Sequence, residues 1–294
     1  MDFYEHHEKE RFKVVNQICM KYSIGLIIYF AVELFTFSEY MDLENYMQTL
    51  ICNVSCCKIM SCLTKDIKVK SWKKSKDFGI GKYFAFLFVN YGLIYIFFEL
   101  GKKIHDPLVD KIFYFKKKRK FLGLNEENSE NILNFFVICI IGPIAEELAY
   151  RKFIIERLIA YNQNLAIFFS GLIFGIIHKS ILRFFECLFS GFVYAYSYVE
   201  TSNIFIPISY HMLYNIIEYV INKNKSSYVE DLKYLKNFFR ALGILGIIAL
   251  LLNGIKFFKN TKKMFKNIFK IFKSYWMIFF IIEGFLYIGY YYIY

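Results

Sequence analysis

Long apolar stretches alternate with short basic ones along the chain, and this pattern limits what the chain can fold into. An apolar helix of about 20 residues spans the hydrocarbon core of a bilayer. A backbone in lipid must satisfy its own hydrogen bonds, so the pattern predicts an all-α fold, a polytopic bundle of eight or nine transmembrane helices. The candidate spans, of which the second is diluted by polar residues, are 15–37, 45–63, 81–100, 129–150 with a helical continuation to 160, 164–178, 182–199, 204–221, 237–254 and 274–294.

Composition supports a membrane protein and argues against a nucleic-acid-binding one. The 294 residues are 57% hydrophobic and 21% aromatic, with only 3 prolines. The net charge of +12 comes from cations that cluster between the apolar spans, at 65–76, 102–120 and 256–273. Such loops contact anionic lipid headgroups. Seven lysines at helical spacing make 255–273 a predicted basic amphipathic helix that lies in the headgroup region.

We therefore expect three regions. Residues 1–128 hold N-terminal transmembrane helices and basic loops, 129–221 form a four-helix catalytic core, and 222–294 hold C-terminal helices that include the amphipathic segment. The richness in Ile, Lys, Asn, Phe and Tyr favours an integral protein of a bacterial cell membrane. The 7 cysteines lack zinc-ligand spacing and are expected to be buried, reduced thiols.

The orientation of the chain in the membrane stays open. If every candidate spans, the basic segments 1–14, 65–80 and 255–273 share one side, as the positive-inside rule expects. The same alternation puts 102–120, which carries eight Lys and Arg, on the other side. Either one early segment does not cross, or 102–120 lies along the interface.

Three polar groups interrupt the apolar spans: Glu146, Glu147 and Arg151 in the first, His178 at the end of the second, and His211 with Asn215 in the third. A charged residue near the bilayer centre costs about 2.5–3.5 kcal/mol on insertion scales. Taken alone, the glutamates are equally typical of contacts between helices, and His178 and the His211–Asn215 pair are more typical of such contacts than of catalysis. Together they indicate a functional site.

Helical spacing assigns the two glutamates different roles. Glu147 and Arg151 are four residues apart and are expected to form an ion pair. Glu146 points about 100° away and lacks that partner, which makes it the candidate for proton chemistry. Pro143 is expected to kink this helix and free a carbonyl beside Glu146, and Pro207 stands in a similar relation to His211.

The remaining groups supply the other parts of a hydrolytic site. Ser170, Gly171 and Gly175 allow close helix approach, which would bring His178 against the helix of Glu146. His211 and Asn215 share one helix face and can both donate hydrogen bonds to a developing oxyanion. A carboxylate, two imidazoles and an amide best fit hydrolysis of an amide bond.

The same residues carry a family resemblance. The chain resembles the CAAX protease and bacteriocin-processing (abortive-infection) family of intramembrane glutamic endopeptidases, which includes the type II CAAX prenyl endopeptidases. The family pattern is Glu-Glu-x-x-x-Arg, Phe-x-x-x-His and His-x-x-x-Asn or Asp. The sequence has Glu146-Glu147 with Arg151, Phe174 with His178, and His211 with Asn215, all in order. The resemblance covers about 130–220.

The resemblance implies roles for these residues. Glu146 and His178 would activate water, His211 and Asn215 would form the oxyanion hole, and Glu147 with Arg151 would give structural support. No cofactor is expected. Zinc on Glu146, His178 and His211 is the less favoured alternative, because Asn is a poor zinc ligand and a good oxyanion donor.

The expected function is an intramembrane endopeptidase that hydrolyses a peptide bond of a membrane-associated peptide or protein within the lipid bilayer, with no nucleic-acid partner. In a bacterium, processing of a leader peptide, pheromone or bacteriocin is a more plausible task than prenyl-protein cleavage. Two alternatives stay open. One is a non-catalytic protein of the same fold, such as a bacteriocin immunity protein or scaffold. The other is a proton-linked transporter, against which the lack of a recognisable inverted repeat counts.

Overall fold

A computed structural model describes residues 2–36, 45–72, 78–112, 132–223, 229–252 and 274–293. Within these ranges the regular elements are nine helices, which confirms the all-α bundle. The first three are α1 (Asp2–Thr36), α2 (Asn45–Thr64) and α3 (Ile80–Ile112). A composite helix α4 runs over residues 132–158. The others are α5 (Gln163–Ile177), α6 (Ile181–Thr201), α7 (Phe205–Lys223), α8 (Val229–Leu252) and α9 (Tyr275–Ile293).

Three helices extend beyond the predicted spans. α1 begins at Asp2 instead of 15, α3 continues to Ile112 instead of 100, and α8 begins at Val229 instead of 237. Hydropathy identifies only the part of a helix that is apolar enough for lipid. Extending the helix beyond that part costs little free energy when the added residues are good helix formers such as Glu, Lys and Arg. The predicted amphipathic helix at 255–273 lies outside the described residues.

The apolar helices identify an integral membrane protein. Three described stretches are both long and apolar enough to cross a bilayer: Phe12–Thr36, Ile80–Pro107 and Ile132–Leu158. Gln163–Ile177 and Tyr275–Tyr290 are shorter apolar helices. For the other predicted spans, a complete crossing stays a prediction.

Helix packing places α4 to α7 together, with the other helices around them. α6 packs against α3, α5 and α7, whereas α1 packs against α2 and α9. Gly171 and Gly175 of α5 face α6, where a Cβ atom would meet Phe192 or Phe184. The sequence predicted that these glycines bring α5 close to the helix of Glu146, and this prediction was wrong. Ser170 makes that contact instead, since its hydroxyl donates to the Tyr150 carbonyl at 2.6 Å.

The bundle has two distinct ends. At one end, the segment after α2 crosses the core helices: the Lys70 amide donates to the Glu156 carbonyl at 2.9 Å, and Trp72 Nε1 donates to the Val199 carbonyl at 2.7 Å. At the other end, Gly101 of α3 lies against the Leu182 carbonyl of α6. The α5–α6 turn, which contains His178, belongs to this second end.

The cysteines mostly follow the prediction. All seven are free thiols, and five of them are buried. Cys57 is partly buried, and Cys62 is exposed near the end of α2, so these two differ from the expected burial.

Candidate active site

Two widened turns shape the helix that carries Glu146. Val137–Ile141 and Leu148–Lys152 are π-helical and flank the α-helical segment Gly142–Glu147. The Gly142 amide bonds back to the Val137 carbonyl, and the Phe153 amide to the Leu148 carbonyl, each five residues earlier. π turns often occur at functional sites. Sequence analysis predicted irregularity at Pro143 but not its form.

The first π turn and Pro143 together free one carbonyl. In an α-helix the Gly142 amide would bond to Ile138, but here it bonds to Val137. The next nitrogen, that of Pro143, carries no hydrogen. Asn215 Nδ2 of α7 donates to this Ile138 carbonyl at 2.9 Å. Asn215 therefore has one N–H committed to the backbone of α4 and one N–H left.

Pro207 behaves differently from the prediction. It is the third residue of α7, so it lies in the first turn, where the missing amide hydrogen breaks no helical bond. Pro207 thus starts α7 and does not bend the helix beside His211.

The predicted ion pair between Glu147 and Arg151 is present. Arg151 Nε lies 3.1 Å from Glu147 Oε2, and both side chains are fully buried. The guanidinium also stacks over the Phe174 ring, with Cζ 3.9 Å from its centroid, and lies 5.1 Å from the Tyr194 ring. The charge pair and the two rings fix α4 against α5 and α6.

His211 connects this ion pair to Glu146. Its Nδ1 lies 3.0 Å from Glu147 Oε1. An ionised carboxylate only accepts, so Nδ1 carries the proton, and in the neutral ring Nε2 holds a lone pair. Nε2 lies 4.0 Å from Glu146 Oε2. The ring is held by stacking on Tyr194, with centroids 5.4 Å apart, and by the edge of Phe174.

The Glu146 side chain is less enclosed than that of Glu147. Its side chain is 25% exposed, in contrast to the fully buried Glu147. Among the described residues, no donor forms a hydrogen bond with its Oε2. Its electrostatic neighbours are His211, Glu147, Arg151 and Arg183. Glu146 is therefore placed next to charge and imidazole, with a buried Oε2 atom that accepts no hydrogen bond from the described residues.

His178 faces the same surroundings. It ends α5, and its Nδ1 donates to the Phe174 carbonyl at 2.6 Å, since a carbonyl only accepts. Nε2 then holds the lone pair. His211, Arg151 and Arg183 are electrostatic neighbours of His178, and all three are also neighbours of Glu146. The two residues thus border one site through shared neighbours.

Arg183 is the neighbour that sequence analysis missed. It lies in the first turn of α6, where its Nε pairs with Glu186 Oε1 at 2.8 Å. The guanidinium side chain is 38% exposed, whereas Glu186 is 5% exposed. Its signal in the sequence was an Arg and a Glu three residues apart in an apolar span, outside the three motifs.

The geometry does not match a zinc site. Within the part of the chain that the structure describes, no three His, Cys, Asp or Glu side chains are grouped to hold a metal ion. His211 Nδ1 is engaged by Glu147. We derive no chemical step through a metal, and metal independence stays a prediction.

Known proteins share this core. Residues 128–217 match the family described as type II CAAX prenyl endopeptidase Rce1-like. A relative in Bacillus subtilis (strain 168), the putative membrane peptidase YdiL, is 33% identical over 106 residues, which are 32% of this chain and 42% of that protein. The chain thus matches less than half the length of this relative. No solved structure matches the chain significantly.

The helical fold and these similarities define an integral membrane protein whose core resembles that of membrane peptidases. The particular family that residues 128–217 resemble is the one described as type II CAAX prenyl endopeptidase Rce1-like.

Proposed function

We propose that the protein is an intramembrane endopeptidase in which Glu146 activates the attacking water. The observation that carries this proposal is the contrast between the two adjacent glutamates. Arg151 and His211 occupy the carboxylate of Glu147. The Glu146 side chain is partly exposed, and its Oε2 atom lies 4.0 Å from Nε2 of His211 and accepts no hydrogen bond from the described residues. A general base needs such an unoccupied oxygen.

The chemistry follows from the hydrogen-bonding groups. Glu146, assisted by the Nε2 lone pair of His178, accepts a proton from water as the water oxygen bonds to the peptide carbonyl carbon. The same proton then passes to the amide nitrogen as the C–N bond breaks. Water therefore supplies both the hydroxyl of the new acid and the hydrogen of the new amine.

Charge that develops on the carbonyl oxygen needs donors. Asn215 supplies its second N–H, since the first is bound to Ile138. His211 donates from Nε2 only as an imidazolium, and the Glu147 carboxylate on its Nδ1 stabilises that form, as a carboxylate does for the histidine of a serine-protease triad. The oxyanion role of His211 thus depends on Glu147.

The substrate proposed is a membrane-associated peptide or protein. A site on apolar helices favours a chain that already lies in the bilayer, because the scissile bond then reaches Glu146 without crossing water. Processing of a leader peptide, pheromone or bacteriocin fits this description.

The test compares the peptides of membranes from cells that carry the wild type, Glu146→Gln or Glu156→Gln. Glu156 is the matched control, an acid on the same helix that accepts a hydrogen bond from Tyr198 at 2.8 Å. New peptide termini in the wild type should vanish with Glu146→Gln and persist with Glu156→Gln. Termini that survive in Glu146→Gln would refute the proposal, and an unchanged cellular phenotype would favour a non-catalytic scaffold.

A further inference from the structure

The residue after His178 has an unusual backbone. Lys179 links α5 to α6 with a φ of 56°, in the left-handed region. This conformation costs an L-residue about 1–2 kcal/mol, and helices that end this way usually place glycine there. A lysine held in it needs surrounding contacts that determine its position.

The side chain of Lys179 contacts two helices outside the family-matched segment. Its Nζ forms an ion pair with Glu33 Oε1 of α1, and Tyr287 of α9 donates its hydroxyl to Glu33 Oε2. The rings of Tyr29 and Tyr287 lie 5.3 and 5.2 Å from Nζ. The side chains of Lys179 and Glu33 are only 17% and 7% exposed.

Removing one partner of a buried ion pair leaves an uncompensated charge and is strongly destabilising. The ammonium of Lys179 is therefore confined to its place between α1 and α9. The contacts of Nζ therefore tether the α5–α6 turn to α1 and α9, and His178 directly precedes Lys179 in this turn.

A simpler interpretation is that the pair only docks α1 and α9 onto the bundle. Docking already has other contacts: Ser274 donates to Asn16 between α9 and α1, and Phe280 of α9 packs on Phe169 of α5, with centroids 6.5 Å apart. None of these requires a left-handed residue beside His178. The Glu33–Lys179 ion pair, in contrast, involves the left-handed residue itself.

We propose that Glu33, Lys179 and Tyr287 are positioning residues that fix the turn after His178 and thereby aim its imidazole at the site. This inference rests on the proposed function for the role of His178 in catalysis, but the orientation of the ring is measurable without cleavage. The outer helices α1 and α9 thus contribute to a site whose motifs all lie on α4, α5 and α7.

The experiment uses the full chain in lipid nanodiscs with ¹⁵N-labelled histidine. The chain has 5 histidines, and the His178 signals are identified by their loss in His178→Asn. The test variant is Lys179→Met with Glu33→Gln, which removes both charges together. The matched control is Lys21→Met with Asp66→Asn, an ion pair of 2.7 Å at the opposite end of the bundle.

We expect the folded test variant to lose the hydrogen-bonded Nδ1 signal of His178, and the control to keep it. With a peptide substrate from the membrane comparison, kcat should fall about 10²-fold with KM unchanged, since misplacement of a catalytic group by about 1 Å has this effect. The exchanged pair, Glu33→Lys with Lys179→Glu, should restore the signal and most of kcat. A native His178 signal in the folded test variant would overturn the proposal.

Two further outcomes are informative. If the test variant does not fold, the exchanged pair and Tyr287→Phe decide: a native His178 signal in the exchanged pair with a perturbed one in Tyr287→Phe supports positioning, and any other combination overturns it. If the His178 signal responds as expected but the wild type cleaves nothing, the proposed function fails and the positioning of His178 stands.

Discussion

Two adjacent glutamates of the same helix contact different partners, because successive side chains of a helix point about 100° apart around its axis. At position 147 the carboxylate lies 3.1 Å from Arg151 Nε and 3.0 Å from His211 Nδ1. At position 146 the nearest ionic partner is His211 Nε2, 4.0 Å from Oε2, and the side chain is partly exposed. The same functional group is therefore a structural anion at one position and a candidate base at the next.

Amide substitution at the two positions should separate these roles. Glu146→Gln should reduce cleavage about 10²–10⁴-fold, the usual contribution of a general base, and leave the melting temperature nearly unchanged. Glu147→Gln should destabilise the protein by about 3–5 kcal/mol, because Arg151 then stays buried without its counter-charge. Unfolding in detergent and cleavage of an identified substrate measure the two effects. Equal destabilisation by both substitutions would contradict this assignment.

Metal independence is also a property of these side chains. Dialysis against 1,10-phenanthroline should leave cleavage and melting temperature unchanged, because the proposed mechanism uses carboxylate and imidazole groups alone. Loss of cleavage that zinc restores would mean that Glu146, His178 and His211 rearrange to ligate a metal, in contrast to their described geometry.

At the scale of the helix, α4 departs from regular α-helical hydrogen bonding next to the candidate site. The π turn at Val137–Ile141 and the absent amide hydrogen of Pro143 leave the Ile138 carbonyl to Asn215. Asn215 thus ties α7 to α4 at the place where its second N–H is proposed to act. The irregular backbone and the candidate oxyanion donor depend on each other.

A double-mutant cycle tests this dependence. Asn215→Ala should cost about 1–3 kcal/mol in the wild type, the penalty for a buried acceptor without a donor. In a Pro143→Ala background the new amide at position 143 can bond to Ile138, so the same substitution should cost less, with a coupling of about 0.5–3 kcal/mol. Unfolding free energies in mixed micelles provide the measurement.

Pro207→Ala is the control for this cycle. Pro207 lies in the first turn of α7 and frees no carbonyl, so Asn215→Ala should cost as much in that background as in the wild type. Additive effects with Pro143→Ala would show that Ile138 finds another donor.

Sequence reasoning worked for elements and motif spacing because hydropathy and the i, i+4 rule are local properties. The helices of the described residues and the Glu147–Arg151 pair follow from such rules. The π turns, the engagement of Asn215 with Ile138 and the proximity of Arg183 depend on how helices face one another. Periodicity within one helix carries no information on that, which is why Gly171 and Gly175 were assigned to the wrong neighbour.

For the whole molecule, the structure indicates how to determine the orientation of the chain in the membrane, which the distribution of charges left open. Lys65 follows α2 at the end where Lys70 and Trp72 contact the core. Lys103 lies on the last turns of α3, next to the end where Gly101 meets α6 and His178 lies. Both lysines are exposed. Lys65 and Lys103 are therefore exposed positions at opposite ends of the bundle.

Single-cysteine labelling should place these ends on opposite sides of the membrane. In a background with Cys57→Ser and Cys62→Ser, the other five thiols are buried, so Lys65→Cys and Lys103→Cys supply the only reactive groups among the described cysteines. A membrane-impermeant maleimide applied to intact cells should label one variant, and applied to inverted vesicles it should label the other. The side that labels Lys103→Cys is then the side on which the turn after His178 lies. Labelling of both variants from the same side would mean that α3 does not cross, and the basic segment 102–120 would then share a side with 65–76.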